Sequence, residues 1–564
     1  MKLLLYLSVI SLIFAQDLME TSAPLNPEYI KYLVQQRNTN SDNSMNGYIP
    51  HPTFVHPQLS KTFKQGIMFQ DRYDLRDEGL VTPVKSQGGC GACWAFGTIA
   101  SIESCWKKLG LGELDLSEAN MAKEIGFGND PCAGGNSAMA TAYLVRGDGP
   151  ISESDDPYEL GKYQYQPEYT PLGIVTAAQY LPENIDVIKQ YLTDHGALYA
   201  VLKCIDSFYN YYNANSNSYY YGGNSSDANS GHGIALVGWD DDKETDGGTG
   251  AWIAKNSHGT NFGDVGYFYI SYNDIFVNTK VACWPERIDY NSHMKIYYYD
   301  KLGSINSSGY GDCRDYALIK YTVDGNETVT KIGTVIVSSD ATVKFEFYEN
   351  FNNGVLNNKL ITTETFTCDY PGYYTFDLPT PLALNAGQEI YVKVEYYTPN
   401  YVWCVPYEIF QEGYADPQIE TGVFWQSDTG DGTQSTWWAR GADTDTKKRD
   451  PCVKLYTIET ASIVIEQEIT QIESFVLRHN FPNPFNPSTT ITFDLSEETN
   501  VKISIYDMTG RLIKELLNQS MTIGSKTINW DGTDDKGSSV SGGVYLYNIQ
   551  AGAINQTERM VLLK

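Results

Sequence analysis

Basic residues are scarce in this chain of 564 residues. Lys and Arg together number 40 against 69 Asp and Glu, which gives a formal net charge of −29 at pH 7. Nucleic-acid binding needs basic surface to neutralise phosphates, so this charge argues strongly against a nucleic-acid partner. Long apolar runs are scarce as well, because Leu3–Phe14 is too short for a transmembrane helix and no other run approaches membrane length. These absences are typical of a soluble protein that works outside the cytoplasm.

The chain begins with the pattern of a secretory signal peptide. Lys2 is followed by the apolar run and then by Ala15, which predicts a signal peptide over residues 1–16. Export would place the protein where disulfides form. The remaining length is too great for one ordinary domain and predicts three or four.

Histidine and cysteine are few, which narrows the search for a catalytic site: the chain has 10 Cys and 7 His. Cys93 comes directly after the glycine-rich stretch Gln87–Ala92 and opens a helical pattern. The apolar residues of that pattern are Phe96, Ile99, Ala100, Ile102 and Trp106. A helix N-terminus favours thiolate over thiol, and the thiolate is the nucleophile. The side-chain amide of Gln87 is a donor that can reach an oxyanion formed on attack.

His232 is the candidate base. It precedes the apolar run Gly233–Trp239, which predicts a buried strand, so the imidazole lies where a side chain can face a cleft. His232 follows Cys93 by 139 residues. In the resting state we expect a thiolate–imidazolium pair, with the pKa of Cys93 far below its free value of about 8.5.

These segments resemble papain-like cysteine peptidases. Gln87–Phe96 resembles the family's nucleophile segment, whose local signature is Cys-Gly-(Ser/Ala)-Cys-(Trp/Tyr), and the spacing to His232 falls in the family's window of about 130–150 residues. A bare Cys-x-x-Cys would indicate a redox pair or half a metal site, but the flanking residues disfavour both. In Trp252–Gly259, Asn256 matches the family's catalytic asparagine, whose side-chain carbonyl accepts the imidazole N–H.

The resemblance implies a complete mechanism. Cys93 would attack the scissile carbonyl, while the amide of Gln87 and the backbone N–H of Cys93 stabilise the oxyanion. His232 would protonate the leaving amine and then activate the deacylating water, with Asn256 orienting the ring. No metal or organic cofactor is implied, and the expected partners are protein or peptide substrates.

A further match concerns the cleft and its bracing. Cys132–Gly135 resembles a family segment whose glycines line the cleft, where substrate backbone pairs with enzyme backbone. Gly134 and Gly135 are therefore candidate substrate-binding residues, because a peptide can approach closely where no Cβ stands. Cys90 and Cys132 match the positions of a family disulfide that braces the nucleophile turn.

One position departs from the family pattern. Where the family has Trp after Asn-Ser, this chain has His258. That indole normally covers the Asn–His hydrogen bond and keeps water off it. Either another aromatic residue such as Phe262 or Tyr267 covers the bond here, or the dyad is weakened and shifted in pH.

The region before the peptidase has two interpretations. Residues 17–70 are polar and loop-like, and they are either a pro-segment or a linker. A papain-family pro-segment lies across the cleft until it is removed, but the family's long helical pro-region motif is not found here. The peptidase region is predicted over residues 71–286. Within it, Phe208–Ser230 precedes His232 and is either a loop at the rim, suited to peptide or glycan contact, or a surface insertion.

Two β-rich regions follow. Residues 287–460 contain short alternating runs and resemble the lectin-like domain that follows papain-like peptidases in some secreted bacterial proteins. A glycan is a candidate ligand there, and Cys368 and Cys404 are a candidate disulfide. Residues 461–478 are predicted to be a linker. Residues 479–564 resemble the C-terminal sorting domain of the type IX secretion system, which implies that machinery as a partner and export across the outer membrane.

The predicted fold class is α+β: a papain-like two-lobed peptidase followed by two β-sandwich domains, the last of them immunoglobulin-like. The predicted function is that of a secreted or cell-surface cysteine peptidase that hydrolyses peptide bonds through a Cys-His-Asn mechanism. Two alternatives stay open. One is a catalytically weak papain-fold protein that acts mainly as a glycan-binding or surface-binding module. The other is an acyltransferase that uses the same thiolate.

Overall fold

The computed structural model describes most of residues 20–563. The residues described are 20–38, 47–53, 57–64, 66–128, 130–159, 169–204, 208–224, 231–431, 437–441, 448–460, 476–477, 480, 483, 485, 487–495, 499–521, 524–552 and 554–563. The predicted signal peptide, residues 1–16, lies outside the described residues. The chain divides into two compact units, residues 1–460 and 461–564. Among the described helices, none is both long enough and apolar enough for a membrane span.

The segment before the peptidase contains a strand and a helix, β1 (Thr21–Ser22) and α1 (Pro27–Asn38). The expectation of a loop-like segment is therefore wrong over α1. The helix begins as the sequence permits: Asn26 Oδ1 accepts the backbone N–H of Glu28 at 2.9 Å, and proline occupies the first helical position. Tyr29 is fully buried against the core that follows, so tertiary packing stabilises a helix with little apolar character of its own.

The described part of the peptidase region contains four α-helices and nine strands. The helices are α2 (Cys93–Lys108), α3 (Glu118–Glu124), α4 (Ser137–Val145) and α5 (Ile185–His195). The strands are β2 (Arg72–Asp74), β3 (Ile174–Leu181), β4 (Leu198–Lys203), β5 (Tyr212–Asn213), β6 (Ser218–Tyr219), β7 (Gly231–Thr245), β8 (Gly248–Lys255), β9 (Tyr267–Ser271) and β10 (Val281–Ile288).

Two apolar cores make the peptidase two-lobed. One core gathers around Trp94, Met139 and Tyr143 on the helical side. The other gathers around the strands, with Trp252 and Phe268 among its members. Helix α2 is buried on nearly all its faces because it lies between the two cores. The N-terminus of α2 is thereby fixed at the junction of the lobes, where β7 packs against it.

The middle region is built of strands. They are β11 (Met294–Tyr297), β12 (Asn306–Gly309), β13 (Arg314–Thr322), β14 (Glu327–Ile336), β15 (Ala341–Asn352), β16 (Val355–Thr362), β17 (Phe366–Cys368), β18 (Gly372–Leu384), β19 (Glu389–Tyr397), β20 (Val405–Ile409), β21 (Phe424–Ser427), β22 (Trp438–Arg440), β23 (Arg449–Pro451) and β24 (Val453–Glu459). A sheet ordered β16-β15-β19-β13-β21-β22 faces β11-β24-β14-β18 across a shared apolar core, which makes a sandwich.

The middle region shares a sheet with the peptidase. Strand β18 pairs with β3, so that Gly372 lies opposite Gln179 and Tyr373 opposite Ala178. A Cβ on Gly372 would come within 1.9 Å of the carbonyl oxygen of Ala178, and its φ of +157° also favours glycine. The two regions are therefore joined by backbone hydrogen bonds as well as by chain connectivity.

A separate small sheet carries the strand before the peptidase. Its order is β1-β12-β20-β23, and we call it the anchor sheet.

The predicted Cys368–Cys404 bridge is wrong, because both thiols are free and the Sγ of Cys404 donates instead to Oδ2 of Asp315 at 3.0 Å.

The second unit is also a sandwich. Its strands are β25 (Val476–Leu477), β26 (Thr489–Leu495), β27 (Thr499–Asp507), β28 (Leu512–Met521), β29 (Gly524–Trp530), β30 (Gly543–Ala551) and β31 (Ile554–Leu562). The sheets β25-β26-β29 and β28-β27-β30-β31 bury a common core that includes Phe493, Ile503 and Tyr547. Strand β25 falls inside the predicted linker 461–478 and pairs with β26.

Candidate active site

Cys93 is the first residue of α2, as the sequence predicts. The N-cap residue, Ala92, has no capping side chain, so the first N–H groups of the helix keep no side-chain acceptor there. The backbone N–H of Trp94 hydrogen-bonds the Sγ of Cys93, and so does the N–H of Gly233 at 3.2 Å. Gly233 directly follows His232 in β7, so this contact brings the base beside the nucleophile.

His232 and Asn256 are brought together as predicted. Nε2 of His232 and Oδ1 of Asn256 are 2.7 Å apart, and both side chains are buried. Oδ1 of Asn256 also accepts the backbone N–H of Ser257 at 2.8 Å, so it is fixed as an acceptor. An acceptor at this position selects the tautomer with a proton on Nε2 and leaves Nδ1 free to take a proton. A free Nδ1 is what a general base at this position requires.

Gln87 is held at the edge of the nucleophile turn. Its Nε2 donates to the carbonyl of Cys90 at 2.7 Å, and its Oε1 accepts from Oγ of Ser257 at 2.5 Å. A hydroxyl can only donate to Oε1 in this contact, so the amide is oriented with its NH₂ toward the turn. One of the two amide hydrogens is used by Cys90, and the other is directed away from that carbonyl.

The nucleophile turn is braced by a disulfide between Cys90 and Cys132, as predicted. Next to it, the backbone N–H of Gly91 donates to the carbonyl of Cys132 at 3.2 Å. A Cβ on Gly91 would come within 2.3 Å of the same carbonyl oxygen. The segment that carries Gly134 and Gly135 is thus held against the turn that carries Cys93.

The N-terminal segment passes through the cleft and covers the nucleophile. Its backbone pairs with Gly135, which donates its N–H to the carbonyl of Gly47 at 3.1 Å and accepts the N–H of Ile49 at 3.0 Å. The N–H of Gly47 hydrogen-bonds the Sγ of Cys93. A Cβ on Gly47 would lie 2.4 Å from that Sγ and 2.5 Å from the carbonyl oxygen of Gly91. Only glycine fits here, and we call residues 47–49 the plug.

Burial of the site sets the protonation of the dyad. It raises the pKa of Cys93 to about 11, although hydrogen bonds from the backbone N–H groups of Gly233, Trp94 and Gly47 act to lower it. Burial, with a smaller contribution from the neighbouring His258, lowers the pKa of His232 to about 3, against a raising effect of the Asn256 hydrogen bond. Both groups are therefore neutral at pH 7. The expected thiolate–imidazolium pair is wrong for this covered form, because the charged forms lose their hydration here.

Aromatic and imidazole rings cover the His232–Asn256 hydrogen bond. The ring of His258 lies over that of His232, with centroids 4.8 Å apart, and its Nδ1 is 3.3 Å from Nδ2 of Asn256. Phe262 contacts His258 edge-on at 5.7 Å, in agreement with one predicted substitute for the family Trp. Phe208 contacts both imidazoles at 6.2 Å. The other suggested substitute, Tyr267, instead stacks under the guanidinium of Arg76 at 4.5 Å.

Comparison with family models accounts for three parts of the chain. Residues 69–283 match the model described as papain family cysteine protease. Residues 69–283 form a papain-family cysteine protease domain. Residues 296–457 match the lectin like domain, and residues 479–563 match the secretion system C-terminal sorting domain.

Curated relatives match the protease domain alone. Cathepsin 7 of Rattus norvegicus is 33% identical over 210 residues, which are 36% of this chain and 61% of the relative. Cathepsin J of Mus musculus is 31% identical over 206 residues, 36% of this chain and 60% of the relative. The chain thus spans about three fifths of the length of these relatives.

Solved structures share the fold over a longer stretch. The cysteine protease and lectin-like domains of Cwp84, a surface layer associated protein of Clostridium difficile, give a TM-score of 0.67 at 21% identity. The match covers 78% of this chain and 98% of that chain. Cwp84 after propeptide cleavage gives a TM-score of 0.60 at 21% identity, covering 69% of this chain and 99% of that one. The association of protease and lectin-like folds is therefore shared.

Two residues of the site were not found from the sequence. Gly47 lies in a segment whose role was left open, and nothing in its neighbours indicates a cleft contact. Phe208 begins the stretch interpreted as a rim loop or an insertion, yet its side chain is buried against the imidazoles. Phe208 stands 24 positions before the base among several tyrosines, so no pattern distinguishes it from its neighbours.

Proposed function

We propose that this protein is the precursor of a secreted cysteine peptidase with Cys93 as nucleophile and His232 as general acid and base. The observation that carries the proposal is the meeting of α2 and β7. The Sγ of Cys93 accepts the N–H next to His232 at 3.2 Å, and the ring of His232 is held by Asn256 at 2.7 Å. A nucleophile, a base and an orienting group in one buried cleft are the parts that acyl transfer requires.

Each proposed role follows from the chemistry of its group. With a peptide in the cleft, Cys93 attacks the scissile carbonyl, and the oxyanion receives hydrogen bonds from the backbone N–H of Cys93 and the amide of Gln87. His232 passes a proton to the leaving amine and then takes one from the water that releases the acyl group. Asn256 keeps the ring in the required tautomer. Gly134 and Gly135 supply backbone pairing to the substrate, as Gly135 does to the plug.

The precursor form is the second part of the proposal. Residues 17–70, which we call the leader, would be a pro-segment that keeps the peptidase inactive until it is cut away. The plug supports this, because it covers Sγ, and burial of Sγ raises the pKa of Cys93 to about 11. Removal would rehydrate the cleft, and the helix N-terminus and the imidazolium would then favour the thiolate. The occurrence of Cwp84 after propeptide cleavage is consistent with such a step.

Export is supported by the last unit. The match of residues 479–563 to a secretion sorting domain indicates a secreted or cell-surface protein that engages secretion machinery. We propose the type IX system and export across the outer membrane. A glycan remains a candidate ligand of the lectin-like region, and the alternatives of an inert peptidase fold and an acyltransferase are outcomes of the experiment that follows.

The test uses the full chain with a site-specific protease sequence inserted after Met68, whose side chain is 96% exposed. After the leader is cut and removed, an epoxysuccinyl inhibitor should add once, as measured by intact mass, and short peptide substrates should be hydrolysed. Cys93→Ala should lose both. Cys105→Ala, a second buried free thiol on α2, should keep both.

The alternatives give different results in the same experiment. No adduct on folded, leader-free protein would contradict the peptidase and favour an inert fold. An adduct together with amide products in the presence of added amines, and little hydrolysis, would favour the acyltransferase.

A further inference from the structure

The leader is also bound at a second place, the anchor sheet, by residues that lie well before the plug in the sequence. There β1 pairs antiparallel with β12, with Thr21 opposite Gly309 and Ser22 opposite Ser308. Just beyond, the N–H of Ala23 donates to the carbonyl of Ser307 at 2.8 Å. The leader thus completes the edge of a sheet whose other strands belong to the lectin-like region.

Two side chains of the lectin-like region hydrogen-bond to the side chains of β1. Nε1 of Trp403 donates to Oγ1 of Thr21 at 3.0 Å, and the hydroxyl of Tyr407 donates to Oγ of Ser22 at 3.0 Å. These contacts add side-chain selectivity to the backbone pairing. They favour small hydroxyl residues at both positions.

The residue before β1 is held by two arginines. Both carboxylate oxygens of Glu20 accept from Arg449, at 2.6 and 2.9 Å, and Nη2 of Arg440 is 2.5 Å from Oε2. The side chains are largely buried, with 14% of Glu20, 13% of Arg440 and 5% of Arg449 exposed. Bidentate pairs of this kind are the strongest charge-assisted hydrogen bonds.

The arginines are positioned by the lectin-like region itself. Nε of Arg440 donates to Gln426 at 3.1 Å, and its Nη2 donates to the hydroxyl of Tyr310 at 2.9 Å. Nη1 of Arg449 also contacts Oγ of Ser308 at 3.2 Å. The guanidinium of Arg449 further lies 4.6 Å from the ring centroid of Tyr407. None of these contacts involves the leader, so the pair would keep its arrangement once Glu20 is gone.

Loss of the leader leaves this place open, and on this point the inference rests on the proposed function. Strand β12 would keep β20 on one side and expose its backbone N–H and C=O groups on the other. Within the described part of the chain, no carboxylate other than that of Glu20 lies within ion-pair distance of Arg440 or Arg449. Among the described residues, these two largely buried guanidinium groups would then have no carboxylate partner, which is costly.

We propose that the leader-free protein uses this place as an exosite, which binds an acidic extended segment of its protein substrates. The segment would add a strand to β12, place an Asp or Glu between Arg440 and Arg449, and continue with small hydroxyl residues. The leader itself shows that one polypeptide can reach both places, because its residues 20–23 fill the exosite while residues 47–49 fill the cleft. A substrate that binds at both places would be cleaved more efficiently than one that binds only at the cleft.

The test compares two quenched fluorescent substrates on leader-free wild-type protein. Both share one cleavable segment and carry a flexible tail that ends in Glu-Thr-Ser-Ala or in Gln-Thr-Ser-Ala. We expect kcat/KM to be about tenfold higher for the Glu tail, through KM, and the advantage to vanish in the double variant R440Q/R449Q. A short substrate without a tail should be cleaved equally by both proteins, which also shows that the variant folds.

A binding measurement separates the outcomes. A labelled peptide of the sequence Asp17–Pro24 should bind leader-free protein, inactivated at Cys93 by the inhibitor, about tenfold more tightly than its Glu20→Gln form. Equal cleavage of the two tailed substrates would overturn the exosite, even if the labelled peptide binds, because the place would then serve only the leader. A protein that neither labels nor cleaves the short substrate would instead show that the proposed function has failed.

Discussion

The leader is bound at two places, the plug and the anchor sheet, by opposite chemistry. At the plug, Gly47 and Ile49 make backbone hydrogen bonds to Gly135, and the close contact to Cys93 requires the absence of a side chain. At the anchor sheet, the side chain of Glu20 is held by two arginines. The plug end recognises backbone, as a peptidase cleft must, while the anchor end recognises charge. Coverage of the cleft and retention of the leader therefore depend on different contacts, so different substitutions should affect them.

The largest effect should come from Gly47→Ala in the uncut chain. The added Cβ meets Sγ of Cys93 and the carbonyl of Gly91 at about 2.4–2.5 Å, so the plug must move. Overpacking of this kind costs roughly 2–3 kcal/mol, which is about a hundredfold in the opening equilibrium. The rate of Cys93 labelling by the epoxysuccinyl inhibitor should rise by that factor.

The control for this change is Gly66→Ala, another leader glycine, where a Cβ would meet nothing within 4 Å, so the substitution strains only its own backbone at φ +83° and adds no contact at the cleft. Labelling of that variant should stay near the wild-type rate. Equal rates for the two variants would mean that the plug does not depend on the close contact.

The next effect concerns stability on the anchor side. Burial, helped by the charges of Asp300 and Asp450, raises the pKa of Glu408 on β20 to about 9. A carboxyl group with a raised pKa contributes stability that is fully present when the pH is below its ordinary pKa and that is lost as the pH rises toward 9. Glu408→Gln removes that dependence. Relative to the wild type, the free energy of unfolding of residues 1–460 in this variant should therefore grow by about 2 kcal/mol between pH 6 and pH 8.

Glu327 provides the opposite case. Although burial acts to raise its pKa, hydrogen bonds from Lys295, Thr457 and Tyr297 hold it below the ordinary value. Glu327→Gln should therefore destabilise at neutral pH, and its cost should shrink as pH falls. Denaturant unfolding followed by tryptophan fluorescence measures both variants, and the same sign of pH dependence for the two would contradict the assignment.

Acid should open the plug end. Burial lowers the pKa of His232 to about 3 and also lowers those of His258 and His51. A lowered histidine pKa contributes stability that is present above about 6.5 and is lost as pH falls below it. His232 adds little to this dependence, because in the open form its proton comes from Cys93. Burial of His51 and His258 therefore predicts a larger opening constant at pH 5.5 than at pH 7. The measurement is the labelling rate of the uncut chain divided by that of leader-free protein, and a ratio independent of pH would contradict the prediction.

The smallest effect should come from His258→Trp in leader-free protein. With its ring 4.8 Å from that of His232, a protonated His258 opposes the imidazolium on which the dyad depends. A neutral indole should extend activity about two- to threefold at the acid end, as seen in the pH profile of kcat/KM. His258→Phe also removes the charge, but with a ring smaller than indole to cover the His232–Asn256 hydrogen bond. If the charge is the cause, both His258→Trp and His258→Phe should shift the profile. An unchanged profile in both would contradict it.

The positions of the candidate site residues were predictable because their signals are local. A helix start, a glycine turn and a strand start fix where Cys93 and His232 lie, and the pairing of Cys90 with Cys132 follows the family resemblance. The two-lobed architecture and the β-rich regions follow from the same resemblance and from the alternating runs.

What could not be predicted depends on contacts distant in sequence. Helix α1 is stabilised by packing of Tyr29 against the core and not by its own apolar stripe. The pairing of β3 with β18 joins residues almost 200 positions apart. The neutral state of the dyad could not be foreseen either, since it follows from coverage by Gly47, whose place in the cleft no motif indicates.

The central claim is that Cys93 is a peptidase nucleophile kept neutral by the plug, and one measurement tests it most directly. It is the pH dependence of the rate at which iodoacetamide alkylates Cys93, measured by mass before and after the leader is cut and removed. In the uncut chain we expect slow alkylation that rises only at strongly alkaline pH, and once the leader is gone we expect fast alkylation already at pH 5 to 7. An apparent pKa near that of a free thiol, unchanged by removal of the leader, would contradict it.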